Sequence, residues 1–172
     1  FVADNYVERG PFIRKYLKFG PGVGSAYAVI HQAQEQGTYL SHLPRIYAAY
    51  LLKDELVVFM EYLRGETLQD AVLRCGPSFQ LAQETFPQVC EAVRELHEYF
   101  NPPLIHRDLK PANIVLSNGR VFLIDFGIAR VFPSGYARLC SSRAIRFRAN
   151  RHTKRCICFR HGPVLLLDWT YR

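Results

Sequence analysis

The chain has 172 residues, the length of one ordinary domain, and its hydrophobic content of 49% is sufficient for a core. No apolar run is long enough to span a membrane, and Phe1 is neither a start Met nor the beginning of a signal peptide. The five cysteines show neither zinc-ribbon nor disulfide spacing, which is typical of the reducing cytoplasm. We therefore expect a cytoplasmic protein, without a membrane segment, whose sequence begins inside a longer chain.

The positive charge of the chain is concentrated near its C-terminal end. The net charge is +7, but residues 135–172 contain 9 of the 22 Lys and Arg and 1 of the 15 Asp and Glu. Residues 1–134 then carry 13 basic and 14 acidic side chains, a net charge of −1. The charge of this larger part does not predict binding to nucleic acid.

Two short strands and a glycine-rich connection are predicted first. The strands are Val2–Asp4 and Pro11–Leu17, and Lys15 lies in the second. From Gly20 to Gly24 a glycine occupies every second position, which matches neither the Walker A motif nor the dinucleotide fingerprint. We interpret this stretch as a flexible link into the next helix.

Two amphipathic helices are predicted from apolar residues at 3.6-residue spacing. The first carries Ala26, Val29, Ile30, Ala33, Gly37 and Leu40 on one face, and the second carries Phe86, Val89, Cys90, Val93, Leu96 and Phe100. Between them we predict the strands Ile46–Tyr50 and Leu56–Met60 and a short helix with Thr67 as its N-cap. Asn101-Pro102-Pro103 ends the second helix.

The stretch from His106 to Gly127, HRDLKPANIVLSNGRVFLIDFG, carries the candidate chemistry. Asn118-Gly119 between two apolar runs predicts a tight hairpin, because both central positions of a type I′ turn require a positive φ. The hairpin is expected to bring Asp108, Asn113 and Asp125 together. A carboxylate can accept a hydroxyl proton, while an amide and a second carboxylate can hold Mg²⁺ on ATP.

The pattern His-Arg-Asp-Leu-x-x-x-Asn at residues 106–113, followed by Asp-Phe-Gly at residues 125–127, resembles the catalytic core of eukaryotic-type (Hanks-type) protein kinases. Lys110 resembles the Ser/Thr-specific version of this core. The resemblance implies that Asp108 is the catalytic base, that Lys110 steadies the γ-phosphate, and that Asn113 and Asp125 bind Mg²⁺. An Asp-rich turn beside an ordinary hairpin is the alternative, and the agreement of two motifs in order and spacing disfavours it.

The resemblance also implies roles for neighbouring residues and for an ATP site upstream. His106 and Phe126 would be core packing that links the lobes, and Arg107 would anchor a phosphorylated activation loop. The main-chain groups of Glu61 and Leu63 would pair with the adenine edge, and Met60 would be the gatekeeper residue that precedes them.

Lys15 occupies the position of the strand lysine that contacts the α- and β-phosphates of ATP. An exposed strand lysine is the alternative, and the downstream motifs disfavour it. Glu35, on the first predicted helix, is the best candidate partner of Lys15, or else a solvated residue on a Gln-rich face. The glycine-rich loop that covers the phosphates in this family would lie before the first residue of the sequence.

The implied fold is a truncated, two-lobed α+β protein-kinase-like fold. Its parts would be an N-lobe (1–60), a hinge (61–65) and the first part of a helical C-lobe (66–134). A complete kinase domain needs roughly 250 residues or more, so we expect an incomplete domain. Residues 135–172 are expected to be a non-homologous basic tail.

The tail shows no lasting helical or alternating pattern and permits three interpretations. Cys156 and Cys158 with His152 and His161 could bind a metal, although their spacing is poor. A basic tail could bind nucleic acid. The third interpretation is a change of reading frame. When Gly135 to Leu165 is back-translated and read one nucleotide later, permitted codons give GTPGYAPPEQ and then DVY-x-x-G, in the order expected for this family.

The resemblance implies an ATP- and Mg²⁺-dependent Ser/Thr protein kinase that acts on a protein substrate, in a bacterial source. We expect this chain to be inactive as it stands, because its activation segment and substrate platform are replaced. The alternative is a non-catalytic truncated pseudokinase or the product of a disrupted gene. A small-molecule phosphotransferase is a third and less favoured interpretation. Such proteins usually lack the sequence Arg107-Asp108-Leu109-Lys110-Pro111 in the first motif and Phe126 in the second.

Overall fold

The computed structural model describes residues 11–18, 20 and 22–131 and the backbone of three later strands, Arg146–Ala149, Arg155–Phe159 and Leu165–Asp168. The strand predicted at Val2–Asp4 and the side chains of the possible metal site in the tail lie outside this description. None of the helices in the described part of the chain is long and apolar enough to cross a membrane. The described elements give the mixed α+β architecture that the sequence predicts.

A three-stranded antiparallel sheet forms the N-terminal part of the fold. Strand β1 (Phe12–Lys18) pairs with β3 (Glu55–Glu61), and β3 pairs on its other side with β2 (Ile46–Leu52). Lys15 lies opposite Val58 in the register of β1 and β3. The register therefore places Lys15 opposite the middle of β3, on an edge strand of the sheet.

Helix α1 (Ser25–Glu35) packs against β2 and buries Ala26, Tyr27 and Ile30. It ends earlier than the apolar spacing predicts, because Gly37 adopts a φ of 86°, which ends the helical path. Leu40 is buried, as predicted, but from the loop that follows the helix.

The helical part contains α2 (Leu68–Cys75) and α3 (Phe79–Glu98). Thr67 caps α2, since its hydroxyl oxygen accepts a hydrogen bond of 3.1 Å from the Asp70 amide, which confirms the predicted cap. The apolar stripe predicted for α3 is buried at Phe86, Val89 and Leu96. A two-residue strand, β4 (Glu66–Thr67), precedes α2.

The predicted hairpin is present. Strands β6 (Ile114–Ser117) and β7 (Arg120–Leu123) pair antiparallel, and Asn118 and Gly119 have φ values of 50° and 74°. β4 adds to β6, and α3 packs against β7. Before the hairpin lies β5 (Leu104–Ile105), which pairs with β8 (Arg130–Val131) after it. This second pairing brings the two ends of the motif region back together.

A buried carboxylate joins the sheet part to the helical part. Glu95 of α3 is 4% exposed and accepts hydrogen bonds from the Ser41 amide (2.9 Å), the His42 amide (3.1 Å) and the Ser41 hydroxyl. His42 also contacts β7: its carbonyl accepts from the Leu123 amide at 2.9 Å, and its Nδ1 lies 2.8 Å from the Val121 carbonyl. The loop between α1 and β2 is thereby fixed on α3 and β7.

Replacing Glu95 by alanine should therefore loosen this junction. The amides of Ser41 and His42 would lose a charged acceptor, so we expect their hydrogen exchange to accelerate by roughly ten- to a hundredfold. Residue-resolved exchange at Ser41 and His42 measures the effect. Glu98→Ala is the matched control, because Glu98 binds the exposed Arg94 on the same helix. Equal acceleration in both variants would contradict this role of Glu95.

Candidate active site

Lys15 and Asp125 form an ion pair between β1 and the end of the hairpin. The Lys15 Nζ donates to Asp125 Oδ1 at 2.5 Å, and the two side chains are 28% and 41% exposed. Burial alone would lower the pKa of Lys15, but the hydrogen bond and charge of Asp125 outweigh it and raise that pKa. Burial would likewise raise the pKa of Asp125, and Lys15 reverses this so that the pKa is lowered. Both groups are therefore charged at neutral pH.

The backbone of Asp125 has an unusual conformation. Its φ is 64°, in the left-handed region that few residues other than glycine adopt. The carboxylate accepts a second hydrogen bond, of 3.3 Å, from the Gly127 amide. Because of this conformation the chain turns away from the direction of β7, and the Asp125 carboxylate points towards Lys15.

The loop before the hairpin gathers three of the predicted residues. Asn113 Nδ2 donates to the Asp108 carbonyl and to Asp108 Oδ2, each at 2.9 Å, and Lys110 Nζ donates to the same Oδ2 at 2.7 Å. The Asn113 carbonyl accepts from the Ile124 amide at 3.0 Å, which joins this loop to the residue before Asp125. The structure therefore brings Asp108, Lys110 and Asn113 together and places them beside Asp125 along one hairpin.

His106 and Phe126 are buried residues that connect the loop before the hairpin to the Asp-Phe-Gly segment after it. His106 is 4% exposed; its Nε2 donates to the Ile124 carbonyl at 3.0 Å, and its Nδ1 accepts from the Asp108 amide at 3.3 Å. Burial lowers the pKa of His106, so the ring is neutral, as this donor and acceptor pattern requires. Phe126 is fully buried, with its ring 5.1 Å from that of His106. Both residues are core packing, as predicted.

Comparison with known proteins identifies the family. A model described as "Protein kinase domain" matches residues 30–154, which is well over half of the chain. The chain belongs to the protein kinase domain family. The match extends past residue 134, so it overlaps the first part of the predicted tail. The boundary at residue 134 stays a prediction.

Among similar kinases is the calmodulin-binding receptor-like cytoplasmic kinase 2 of Arabidopsis thaliana, which is 38% identical over 107 residues (59% of this chain, 26% of the plant protein). The serine/threonine-protein kinase PknB of Mycolicibacterium smegmatis is 44% identical over 75 residues (42% of this chain, 12% of PknB). The carbon catabolite-derepressing protein kinase of Candida glabrata is 33% identical over 95 residues (55% of this chain, 15% of that kinase). The chain thus spans about a quarter or less of the length of these relatives.

The predicted pairing of Lys15 with Glu35 does not form in this chain. Glu35 is the last residue of α1, and its Oε1 lies 3.8 Å from Nη2 of Arg45. Both side chains are more than half exposed. Glu35 lies eight residues, roughly 12 Å, farther along α1 than Tyr27, which stands beside Lys15. Lys15 binds Asp125 instead. A role of Glu35 in the nucleotide site rests on the resemblance alone.

The hinge residues lie at the end of β3. The Glu61 amide donates to the Arg45 carbonyl at 2.8 Å, and the Glu61 carboxylate accepts from the Arg45 amide at 3.1 Å. Leu63 follows the strand, and Met60 is buried at the predicted gatekeeper position. Adenine pairing by Glu61 and Leu63 stays a prediction, as does phosphate anchoring by Arg107, which is exposed with a φ of 69°.

The interpretation of the glycine-rich stretch as a flexible link is wrong at Gly24. The Gly24 amide donates to the Gly127 carbonyl at 2.9 Å, and its φ is 70°. A Cβ at this position would lie 2.2 Å from Leu56 Cδ2, so a side chain would force Leu56 to move and would be strained at this φ. The glycine permits α1 to begin directly against the Asp-Phe-Gly segment.

Sequence reasoning also missed Tyr27 as a residue of the site. Its hydroxyl oxygen accepts a hydrogen bond of 3.1 Å from the Phe126 amide, and the two rings meet edge-on with centroids 5.9 Å apart. The apolar spacing of α1 skips position 27, and a tyrosine beside a buried stripe gives no signal of contact with a motif about a hundred residues away.

Proposed function

We propose that this chain carries the ATP-binding and catalytic-loop part of a protein kinase that transfers the γ-phosphate of ATP to Ser or Thr hydroxyls of a protein substrate. The observation that carries the proposal is the convergence of Lys15, Asp125, Asn113 and Asp108 around one hairpin. The residue types are those that phosphoryl transfer requires. The free, exposed thiol of Cys75 supports the proposal of a reducing, cytoplasmic setting.

Each of these residues has a distinct task in the proposed reaction. Asp108 would accept the proton of the substrate hydroxyl. Lys110, which donates a hydrogen bond to the Asp108 carboxylate, would neutralise negative charge near the transferred phosphate. Asp125 and the amide oxygen of Asn113 are the hard oxygen donors that Mg²⁺ prefers, and bound Mg²⁺ would offset the charge of the phosphates. Lys15 would pass from Asp125 to the α- and β-phosphates. Glu61 and Leu63 would bind the adenine edge.

A Lys15→Met variant tests the nucleotide site in the chain itself. Loss of one charged contact to phosphate should weaken binding of a fluorescent ATP analogue in the presence of Mg²⁺ by about ten- to a hundredfold. Lys18→Met is the matched control, since Lys18 is an exposed lysine at the end of the same strand. Equal affinities of the Lys15 and Lys18 variants would refute the phosphate role of Lys15.

We further propose that the region from Gly135 onward is translated out of frame and that the chain as it stands does not transfer phosphate. The recovery of GTPGYAPPEQ and DVY-x-x-G in the next frame supports this, and the family match that continues to residue 154 bears against an abrupt boundary at 134. The genomic sequence across the codons for Arg130 to Gly135 decides whether the region from Gly135 onward is translated in frame or out of frame. A neighbouring frame that does not encode APPEQ would end the proposal.

A further inference from the structure

The start of α1 and strand β1 together bind every residue of the Asp-Phe-Gly motif. Lys15 binds the Asp125 carboxylate, the Tyr27 hydroxyl accepts from the Phe126 amide, and the Gly24 amide donates to the Gly127 carbonyl. Tyr27 and Phe126 are both fully buried. Two of these contacts, from Tyr27 and Gly24, come from residues that none of the kinase motifs includes.

The hydrogen bond to Tyr27 acts on the peptide group that determines where Asp125 points. The Phe126 amide belongs to the peptide bond between residues 125 and 126, so an acceptor fixed on this amide restricts ψ of Asp125. Asp125 already has a φ of 64°, a region in which an L-residue bears a steric cost unless its surroundings hold it there. The Gly24 contact restrains the other side of the motif, at the Gly127 carbonyl.

The same tyrosine stands beside Lys15. The Lys15 ammonium lies 6.0 Å from the centroid of the Tyr27 ring, within the range of a cation–π contact. Burial raises the pKa of Tyr27, so the phenol keeps its proton at neutral pH. α1 has a single carboxylate, Glu35, which lies at its far end beside Arg45. Among the described residues of α1, the side chain beside Lys15 is therefore a tyrosine rather than an acid.

We propose that Tyr27 is a positioning residue: by holding the Phe126 amide, it keeps the Asp125 carboxylate on Lys15 and in place for Mg²⁺. The proposal deepens the proposed kinase function and rests on it for the metal-binding consequence. The contact with Lys15 does not depend on that function. A tyrosine that merely fills the core would leave the Asp125 carboxylate unaffected when its hydroxyl is removed.

The Tyr27→Phe variant separates the two roles, because it keeps the ring packing and deletes the hydrogen bond. Competitive amine acetylation of the whole chain, quantified by mass spectrometry as the ratio of Lys15 to Lys18 labelling, reports whether Asp125 still covers Lys15. We expect this ratio to rise several-fold, about fivefold for loss of one hydrogen bond. Tyr39→Phe is the control, since Tyr39 is 73% exposed, and its ratio should not change. An unchanged ratio in a folded Tyr27→Phe protein would overturn the proposal.

A second measurement links the contact to metal binding. We expect Tyr27→Phe to lower the gain in affinity that Mg²⁺ gives to a fluorescent ATP analogue by about five- to tenfold, with metal-free affinity unchanged. An equal loss with and without Mg²⁺ would indicate a general structural role and contradict the proposal. If the unaltered chain shows no Mg²⁺-dependent binding, the proposed function fails, and the labelling ratio still decides the role of Tyr27.

Should Tyr27→Phe not fold, a ring-fluorinated tyrosine at position 27 keeps the size and the hydroxyl but weakens the oxygen as an acceptor. The labelling ratio is then expected to rise by a smaller factor in the same direction. A folded fluorinated protein with the ratio of the unaltered chain would overturn the proposal equally.

Discussion

Replacing Asp125 by alanine in the frame-restored protein should remove Mg²⁺-dependent nucleotide binding. The variant loses the carboxylate that we assign to the metal, and it leaves the half-buried Lys15 without the acceptor that it contacts at 2.5 Å. Loss of a metal ligand should lower the apparent affinity for Mg²⁺-ATP by about a hundredfold or more. A thermal-shift titration with Mg²⁺-ATP measures this loss as a missing rise in the unfolding temperature.

Asp54→Ala is the control for this variant, because Asp54 is an exposed aspartate in the turn between β2 and β3. The control should keep the full ligand-induced shift. If the Asp125 variant shows the same shift as the frame-restored parent, Asp125 is not a metal ligand.

The second large effect is expected for Asp108→Asn. Phosphate transfer by the frame-restored protein should fall by about a hundred- to ten-thousandfold, the range that a general base contributes. Nucleotide affinity should stay nearly unchanged, because Asp108 acts on the substrate hydroxyl. Transfer of labelled γ-phosphate to a Ser/Thr protein substrate and a parallel binding titration measure the two quantities. A loss of ATP affinity as large as the loss of activity would overturn this assignment of Asp108.

The sequence predicted the parts of the site that depend on local geometry. Asn118-Gly119 determines the hairpin through its two positive φ values, and the hairpin by itself brings Asp108 and Asn113 towards Asp125. Lys15 was placed correctly on a strand, but its partner was not. Glu35 is the only acid on α1, but it lies at the far end of the helix, and the turn of α1 beside Lys15 carries Tyr27 instead.

The contacts that the sequence did not predict are long-range hydrogen bonds of ordinary residues. Tyr27 and Gly24 meet the Asp-Phe-Gly segment from across the chain, and nothing in their local spacing indicates a partner there. Glu95 is different, because it directly precedes Leu96 on the buried face of α3. An acidic residue at such a position indicates a buried carboxylate that needs hydrogen-bond donors. Two of its three donors are loop amides, which leave no trace in side-chain chemistry.

The most direct test of the account is a side-by-side assay of the purified chain and the frame-restored protein for transfer of labelled γ-phosphate from ATP to a generic Ser/Thr protein substrate. Phosphoryl transfer depends on positioning, and a misplacement of about 1 Å can cost about a hundredfold. We expect Mg²⁺-dependent transfer by the frame-restored protein, loss of that transfer in its Asp108→Asn variant, and no measurable transfer by the chain as it stands. Transfer by the unaltered chain that stops on Asp108→Asn, or a folded, ATP-binding restored protein without transfer, would contradict it.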